Sequence, residues 1–244
     1  MQLRRTASLR RSWRLLRAFR AEQQRPEDFY RLLADDSVRM VGEFAGLDGA
    51  SVLDVGGGPG FFEDAFTGAG ARYVALESDV GELSAHGGSR ASRTLLGSGL
   101  DLPVADGAFD VVFSSNVAEH VAAPARLADE MVRATRPGGT VVLSYTIWYG
   151  LHGGHETSPW HLLGGDLARR RYERRQGQPP KNVYGTSLFP AGAAGGLRWA
   201  RSHPGAELVA AFPRYHPWWA HRVVDVPVLR EVLTWNLVLV LRRR

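Results

Sequence analysis

The sequence predicts an α/β protein built on an open, mostly parallel sheet with helices on both faces, and three observations predict it. A buried-strand run, Val52-Leu53-Asp54-Val55, breaks into the glycine-dense turn Gly56-Gly57-Gly58-Pro59-Gly60 and then into a helical pattern. Further apolar runs of strand length alternate with helical ones as far as Tyr145, the rhythm of right-handed βαβ units. The second of these runs ends on an acid, Glu77, about 20 residues after the glycines, where a carboxylate can accept both ribose hydroxyls of a nucleoside.

The elements follow in order. Leu9, Trp13 and Leu16, widened by Leu15 and Phe19, give an amphipathic helix near residues 8–24 whose other face is arginine-rich. That helix can pack on the domain, lie on an anionic membrane surface, or serve as an organelle transit peptide. A second helix is expected over Glu27–Phe44. Strands are expected at Ser51–Val55, Tyr73–Glu77, Arg93–Leu96, Phe109–Ser114 and Gly139–Tyr145, with helices at Phe61–Gly68 and Ala125–Ala134 and a turn at Pro137-Gly138-Gly139. Residues 148–185, crowded with Gly, His, Pro and Arg, read as an irregular insertion beside a ligand mouth. A helix over Leu188–Ser202 and strands at Glu207–Phe212 and Leu237–Leu241 complete the pattern. The organisation is therefore an N-terminal helical extension, residues 1–46, and one main domain, residues 47–244.

Composition narrows the function. Across 244 residues there is no cysteine, which excludes disulfides, thiolate metal sites and a cysteine nucleophile. The formal net charge is +5, yet seven arginines stand within residues 1–20 and three more at 242–244, so without these tails the core is slightly acidic. Such a distribution speaks of docking at the tails and gives no basic stripe for nucleic acid across the core. No apolar run is long enough to span a bilayer, and a cytoplasmic protein, peripheral on the inner membrane face through residues 1–24, is the expectation.

Five blocks in order carry a resemblance: Val52 to Gly60, Glu77, Asp101-Leu102-Pro103-Val104, Phe109 to Ser115 with Glu119-His120-Val121, and Arg136-Pro137-Gly138-Gly139. Over residues 51–144 the chain resembles class I S-adenosylmethionine-dependent methyltransferases of the methyltransferase-11 type. The later segments, Trp148-Tyr149-Gly150, Gly153-Gly154-His155-Glu156 and Gly185 to Phe189, look similar to uncharacterised actinobacterial methyltransferases. The resemblance implies a Rossmann-like fold of seven strands, the last antiparallel, and S-adenosylmethionine as cofactor. It also implies roles: Gly56, Gly58 and Gly60 let the backbone approach the cofactor, Asp54 orients that loop or the cofactor's amino group, and Glu77 holds the ribose. Where the family usually has an acid for the adenine, Gly97 is followed by Ser98, so that contact falls to the Ser98 oxygen or the Gly99 and Leu100 backbone. Asp101 caps the next turn in preference to binding cofactor. Asn116 ends the fourth strand, where it either faces the cofactor or caps a helix. Glu119 and His120 match a pair that packs behind the cofactor.

Methyl transfer from a sulfonium needs positioning, and a base only when the acceptor carries a proton. His155 is the expected base and Glu156 its orienting acid; the alternative is that both only tie the insertion to the domain. The spacing of His152, His155, Glu156 and His161 fits no helix-borne ligand pattern, so no metal is assigned. Arg169-Arg170-Arg171, Arg174-Arg175 and Lys181 either form a solvated face or meet an anionic acceptor. Of the adjacent Trp218 and Trp219, one is expected buried and the other free to touch a membrane or acceptor. The expected activity is methyl transfer to O or N of a small-molecule, glycan or lipid-headgroup acceptor. A cofactor-binding pseudoenzyme and a nicotinamide-dependent oxidoreductase are the alternatives.

Overall fold

A computed structural model describes residues 6–20, 26–79, 81 and 92–244. Seven strands form one sheet: β1 (Ser51–Val55), β2 (Arg72–Glu77), β3 (Thr94–Leu96), β4 (Phe109–Ser115), β5 (Thr135–Thr146), β6 (Ala206–Pro213) and β7 (Asn236–Arg243). Their order is β3-β2-β1-β4-β5-β7-β6, with β7 antiparallel to both neighbours and the other pairs parallel. The Rossmann-like α/β sheet and its antiparallel last strand are as the sequence reading expected.

Alternate residues of each strand feed two apolar layers. Val52, Val111, Phe113 and Val142 meet α1 (Leu9–Arg20), α2 (Pro26–Gly42) and α3 (Glu63–Gly68) through Leu15, Leu33 and Phe66. Leu53, Val112, Val141 and Leu143 meet α4 (Pro124–Ala134) and α6 (Ala193–Ser202) through Leu127, Met131 and Leu197. Both faces are covered, so the strands are apolar throughout instead of alternating with polar residues.

The α1 stripe is divided. Leu15 is buried, while Leu9 and Trp13 remain 53% and 57% exposed. Arg11 leaves the basic face to grip Asp36 of α2 with two bonds of 2.6 Å, and donates a third to the Arg214 carbonyl. Residues 21–24 of the expected helix, and Arg4 and Arg5, lie outside the described residues.

Four expectations need correction. The third helix starts at Glu63, because Phe61 and Phe62 are still in the glycine turn. The helix before β6 starts at Ala193 and not at Leu188, since Pro190 lacks the N–H that a helix interior needs. Pro137-Gly138-Gly139 is a bulge inside β5: pairing jumps from Phe109↔Thr135 to Val111↔Thr140, with Gly138 at φ +72°. Trp218 and Trp219 are both exposed, at 41% and 62%, because they sit on a 3-10 segment along the surface. The insertion is also more regular than expected. It contains two 3-10 turns, His155–Thr157 and Trp160–Leu163, and a helix α5 (Gly165–Gln176) that stops at Gly177, φ +71°.

Candidate active site

The crevice lies where β1 and β4, neighbours in the sheet, send their chains in opposite directions, the position at which open parallel sheets take ligands. On its β1 side the glycines divide the work. Gly56 has φ +78°, donates its N–H to Leu76 O at 2.8 Å, and leaves no room for a side chain: a Cβ there would stand 2.4 Å from Val117 Cγ2. Gly58, at φ +54°, has nothing within 4 Å of a would-be Cβ, so its bare face opens outward. Gly60 completes the turn at φ +89°.

Glu77 ends β2 against this turn. Its Oε2 accepts the Gly58 N–H at 3.2 Å, and its Oε1 accepts those of Ser78 and Asp79 at 2.7 and 3.1 Å. Asp54 lies beneath the turn, buried, and accepts the Tyr73 hydroxyl at 2.6 Å. Burial pushes the Asp54 carboxyl up to about 7 against the opposing effect of that bond, with the Glu77 charge adding to the rise. Asp54 is thus tied to β2 through Tyr73, directly beneath the glycine turn.

The far end of the crevice is built from the turn at residues 98–102 and α4. Ser98 Oγ accepts the Leu100 N–H at 3.1 Å, so both groups are engaged with each other. A Cβ on Gly99 would stand 2.7 Å from Leu127 Cδ1, which makes this glycine a seat for α4. Asp101 pairs with Ser98 in an isolated bridge, while Glu130 holds the Leu102 N–H at 2.8 Å. Asn116 is not a helix cap: the 3-10 turn Ala118–His120 carries no side-chain cap bond. Instead Asn116, at φ +59°, accepts from Asn236 Nδ2 at 2.7 Å and shares a hydrogen bond with Tyr215.

The insertion brings a second set of polar groups to the β4 end. His155, at φ +48°, sits with its ring centroid 5.1 Å from that of His120. Glu156 is turned away from it, accepting Asn182 Nδ2 at 2.8 Å, so the acid beside His155 is Glu119. Glu119 is buried and anchored through Oε1 by the Thr146 N–H at 3.1 Å. His120 donates Nδ1–H to Ser187 O at 2.7 Å. Burial, reinforced by His120, His161 and His152, holds the His155 imidazole down to about 4, and burial raises the Glu119 carboxyl. His155 is therefore neutral at pH 7 and keeps a lone pair. The other histidines are occupied elsewhere: His152 packs edge-on to Phe19, and His161 Nε2 lies 2.9 Å from Trp148 O.

Sequence reasoning missed Tyr73 as the partner of Asp54, and it missed Arg214. That guanidinium is fully buried and donates to the hydroxyls of Ser37, Ser115 and Ser144. An arginine just past a strand is common on surfaces, and nothing local marked this one. Its three hydroxyl partners lie 70 to 177 residues away in sequence. Of the arginines in the insertion, Arg171 lies over the Trp160 ring at 3.9 Å and Arg169 bonds Glu173 at 2.9 Å.

A methyltransferase domain family matches residues 53–143. Over 250 residues the chain is 54% identical to an uncharacterized methyltransferase of Mycobacteroides abscessus, covering 98% of this chain and 96% of the relative. Among solved structures, a methyltransferase in complex with the Trm112 methyltransferase activator of Haloferax volcanii superposes with TM-score 0.57 at 17% identity, over 93% of both chains. An S-adenosylmethionine-dependent methyltransferase of Mesorhizobium loti superposes with TM-score 0.55 at 19% identity, over 85% of this chain and 96% of the other. These two likenesses are of fold.

Proposed function

The chain belongs to the methyltransferase family of these relatives, and on that premise we propose that it moves the methyl group of S-adenosylmethionine to oxygen or nitrogen of a small-molecule, glycan or lipid-headgroup acceptor. The observation that carries the cofactor assignment is the open, side-chain-free face of Gly58 beside the Glu77 carboxylate, at a φ of +54° that disfavours any side chain. The cofactor supplies a methyl group already activated on a sulfonium. Gly56 to Gly60 would meet its methionine and ribose through the backbone. Glu77 would exchange the Gly58 N–H for the ribose hydroxyls, bonds worth about 1.5–3 kcal/mol each when charge-assisted. Ser98 and Gly99 would border the adenine, and Asn116 the donor end. The chain's own contribution is orientation and exclusion of water, which can lower a barrier by roughly 7–11 kcal/mol. We assign the acceptor end to His155, whose Nε2 has no partner, with Glu156 and Asn182 tying its segment down.

A lipid-headgroup acceptor is supported by α1. Among the described residues no helix is long and apolar enough to cross a membrane. Leu9 and Trp13 are nonetheless exposed among Arg10, Arg14 and Arg17, and Arg10, Arg11, Arg14 and Arg39 line a cavity of about 510 Å³. That surface suits the anionic inner face of a membrane.

Calorimetric titration tests the cofactor, with S-adenosylmethionine binding at micromolar concentration and NAD producing no heat. Transfer of a labelled methyl group into lipid or small-molecule extracts tests the reaction. Cofactor binding with no labelled product in any extract would leave a cofactor-binding protein in place of an enzyme.

A further inference from the structure

We propose that Glu119, His120 and His155 form a binding site for one divalent transition-metal ion of the zinc class. Each side chain can offer one ligand atom such that all three lie within 4.8 Å of one another. Two imidazoles and a carboxylate, with no thiolate, are a donor set that divalent zinc, cobalt, iron and manganese accept.

Three further observations separate this cluster from a chance meeting. Glu119 Oε2 and His155 Nε2 are buried and have no hydrogen-bond partner, although the remaining oxygen of Glu119 is anchored by the Thr146 N–H. A buried carboxylate oxygen and a buried imidazole nitrogen left unmatched are costly, unless something between them accepts their lone pairs. His120 is already set as a ligand: donation of Nδ1–H to the Ser187 carbonyl fixes the tautomer with its lone pair on Nε2, the outer-shell arrangement that metal-bound histidines adopt. The third observation is spacing. Tetrahedral ligands at about 2.0–2.1 Å from zinc stand roughly 3.4 Å apart. Closing from within 4.8 Å to that separation needs a movement of at most about 1.4 Å.

Three protein ligands leave a fourth position open, as in zinc sites that bind substrate. The cluster is one short turn from Val117, which packs on Gly56, so an ion there would stand beside the donor end of the crevice. Its role rests on the methyl-transfer reading; its binding does not. In that role the acceptor is a hydroxyl. The ion lowers the hydroxyl's pKa, the proton leaves to solvent, and the oxygen–carbon bond forms as the carbon–sulfur bond breaks, with the electron pair staying on sulfur.

The experiment uses the full chain, stripped with a chelator and titrated with Co2+ and then Zn2+. One equivalent of Co2+ should bind with visible d–d absorption and be displaced by Zn2+, and Zn2+ but not Mg2+ should raise the melting temperature. His155→Ala and His120→Ala should each weaken Zn2+ binding by at least about 100-fold. A readout that needs no variant is diethyl pyrocarbonate modification mapped by mass spectrometry: Zn2+ should protect His120 and His155 and leave His203 reactive. Absence of stoichiometric Co2+ binding, or equal Zn2+ affinity in a Glu119→Gln/His120→Ala/His155→Ala protein, would overturn the site. Calorimetry with S-adenosylmethionine on the same sample keeps the two readings apart. Cofactor heat without a metal site sinks only the metal, and a metal site without cofactor heat sinks only the methyl-transfer reading.

Discussion

The two ends of the crevice hold their buried polar groups in opposite ways. At the glycine turn, every acid is matched by the protein itself: Glu77 by three backbone N–H groups and Asp54 by the Tyr73 hydroxyl. At the insertion, Glu119 Oε2, His155 Nε2, Glu156 Oε2 and His161 Nδ1 are buried without partners. A matched site is rigid before its ligand arrives and trades one set of bonds for another. An unmatched site stores the cost of its lone pairs and gains most when a ligand takes them. The difference suits a cradle for one invariable cofactor beside a mouth for an acceptor.

The comparison can be broken most severely at Gly56. Gly56→Ala drives a methyl group into Val117 at a positive φ and should cost roughly 2–5 kcal/mol of stability, whereas Gly58→Ala should cost about 1 kcal/mol and show its effect in cofactor affinity. Chemical denaturation of both variants checks the contrast. The next effect is a pH dependence of the matched end. Asp54 has an ordinary carboxyl value when unfolded and about 7 when folded, so the folded state holds the extra proton between those limits. Its contribution to stability is fully present below about pH 4 and is lost as pH rises to about 7, by up to roughly 4 kcal/mol at about 1.4 kcal/mol per unit. Asp54→Asn should flatten that segment of the curve, measured as urea midpoints from pH 4 to 8.

Glu77→Gln should weaken cofactor binding by about 1.5–3 kcal/mol, roughly 10- to 150-fold, with little change in melting temperature. Equal loss of stability and affinity would mean that its role is only to hold the turn. The smallest effect is expected at the insertion, where Asn182→Ala removes the one bond to Glu156 Oε1 and should cost about 1 kcal/mol, read by hydrogen exchange over residues 155–157.

The matched end was also the legible one. Its strands are short, apolar on both faces and bounded by Gly or Pro, so β1, β2 and β4 fall within a residue or two of where periodicity puts them, and the residues of the glycine turn are neighbours in sequence. The insertion defeats the same reading for a physical reason. Among its 12 residues α5 buries only Gly165 and Ala168, so no apolar stripe announces it. The meeting of His155 with Glu119 and His120 joins segments about 35 residues apart through 3-10 turns that have no strong period. Asn116 was placed correctly at a strand end, but its partners Asn236 and Tyr215 come from β7 and the segment after β6, beyond any local pattern.

The position of β7 has a consequence for how the protein is made. Residues 236–243 lie between β5 and β6 and pair with both, so β6 has no neighbour in the sheet until they arrive. A ribosome adding about 5–20 residues per second leaves roughly 2–6 s between completing β6 and completing β7. Until residues 236–243 arrive, β5 keeps one edge unpaired and β6 has no partner in the sheet.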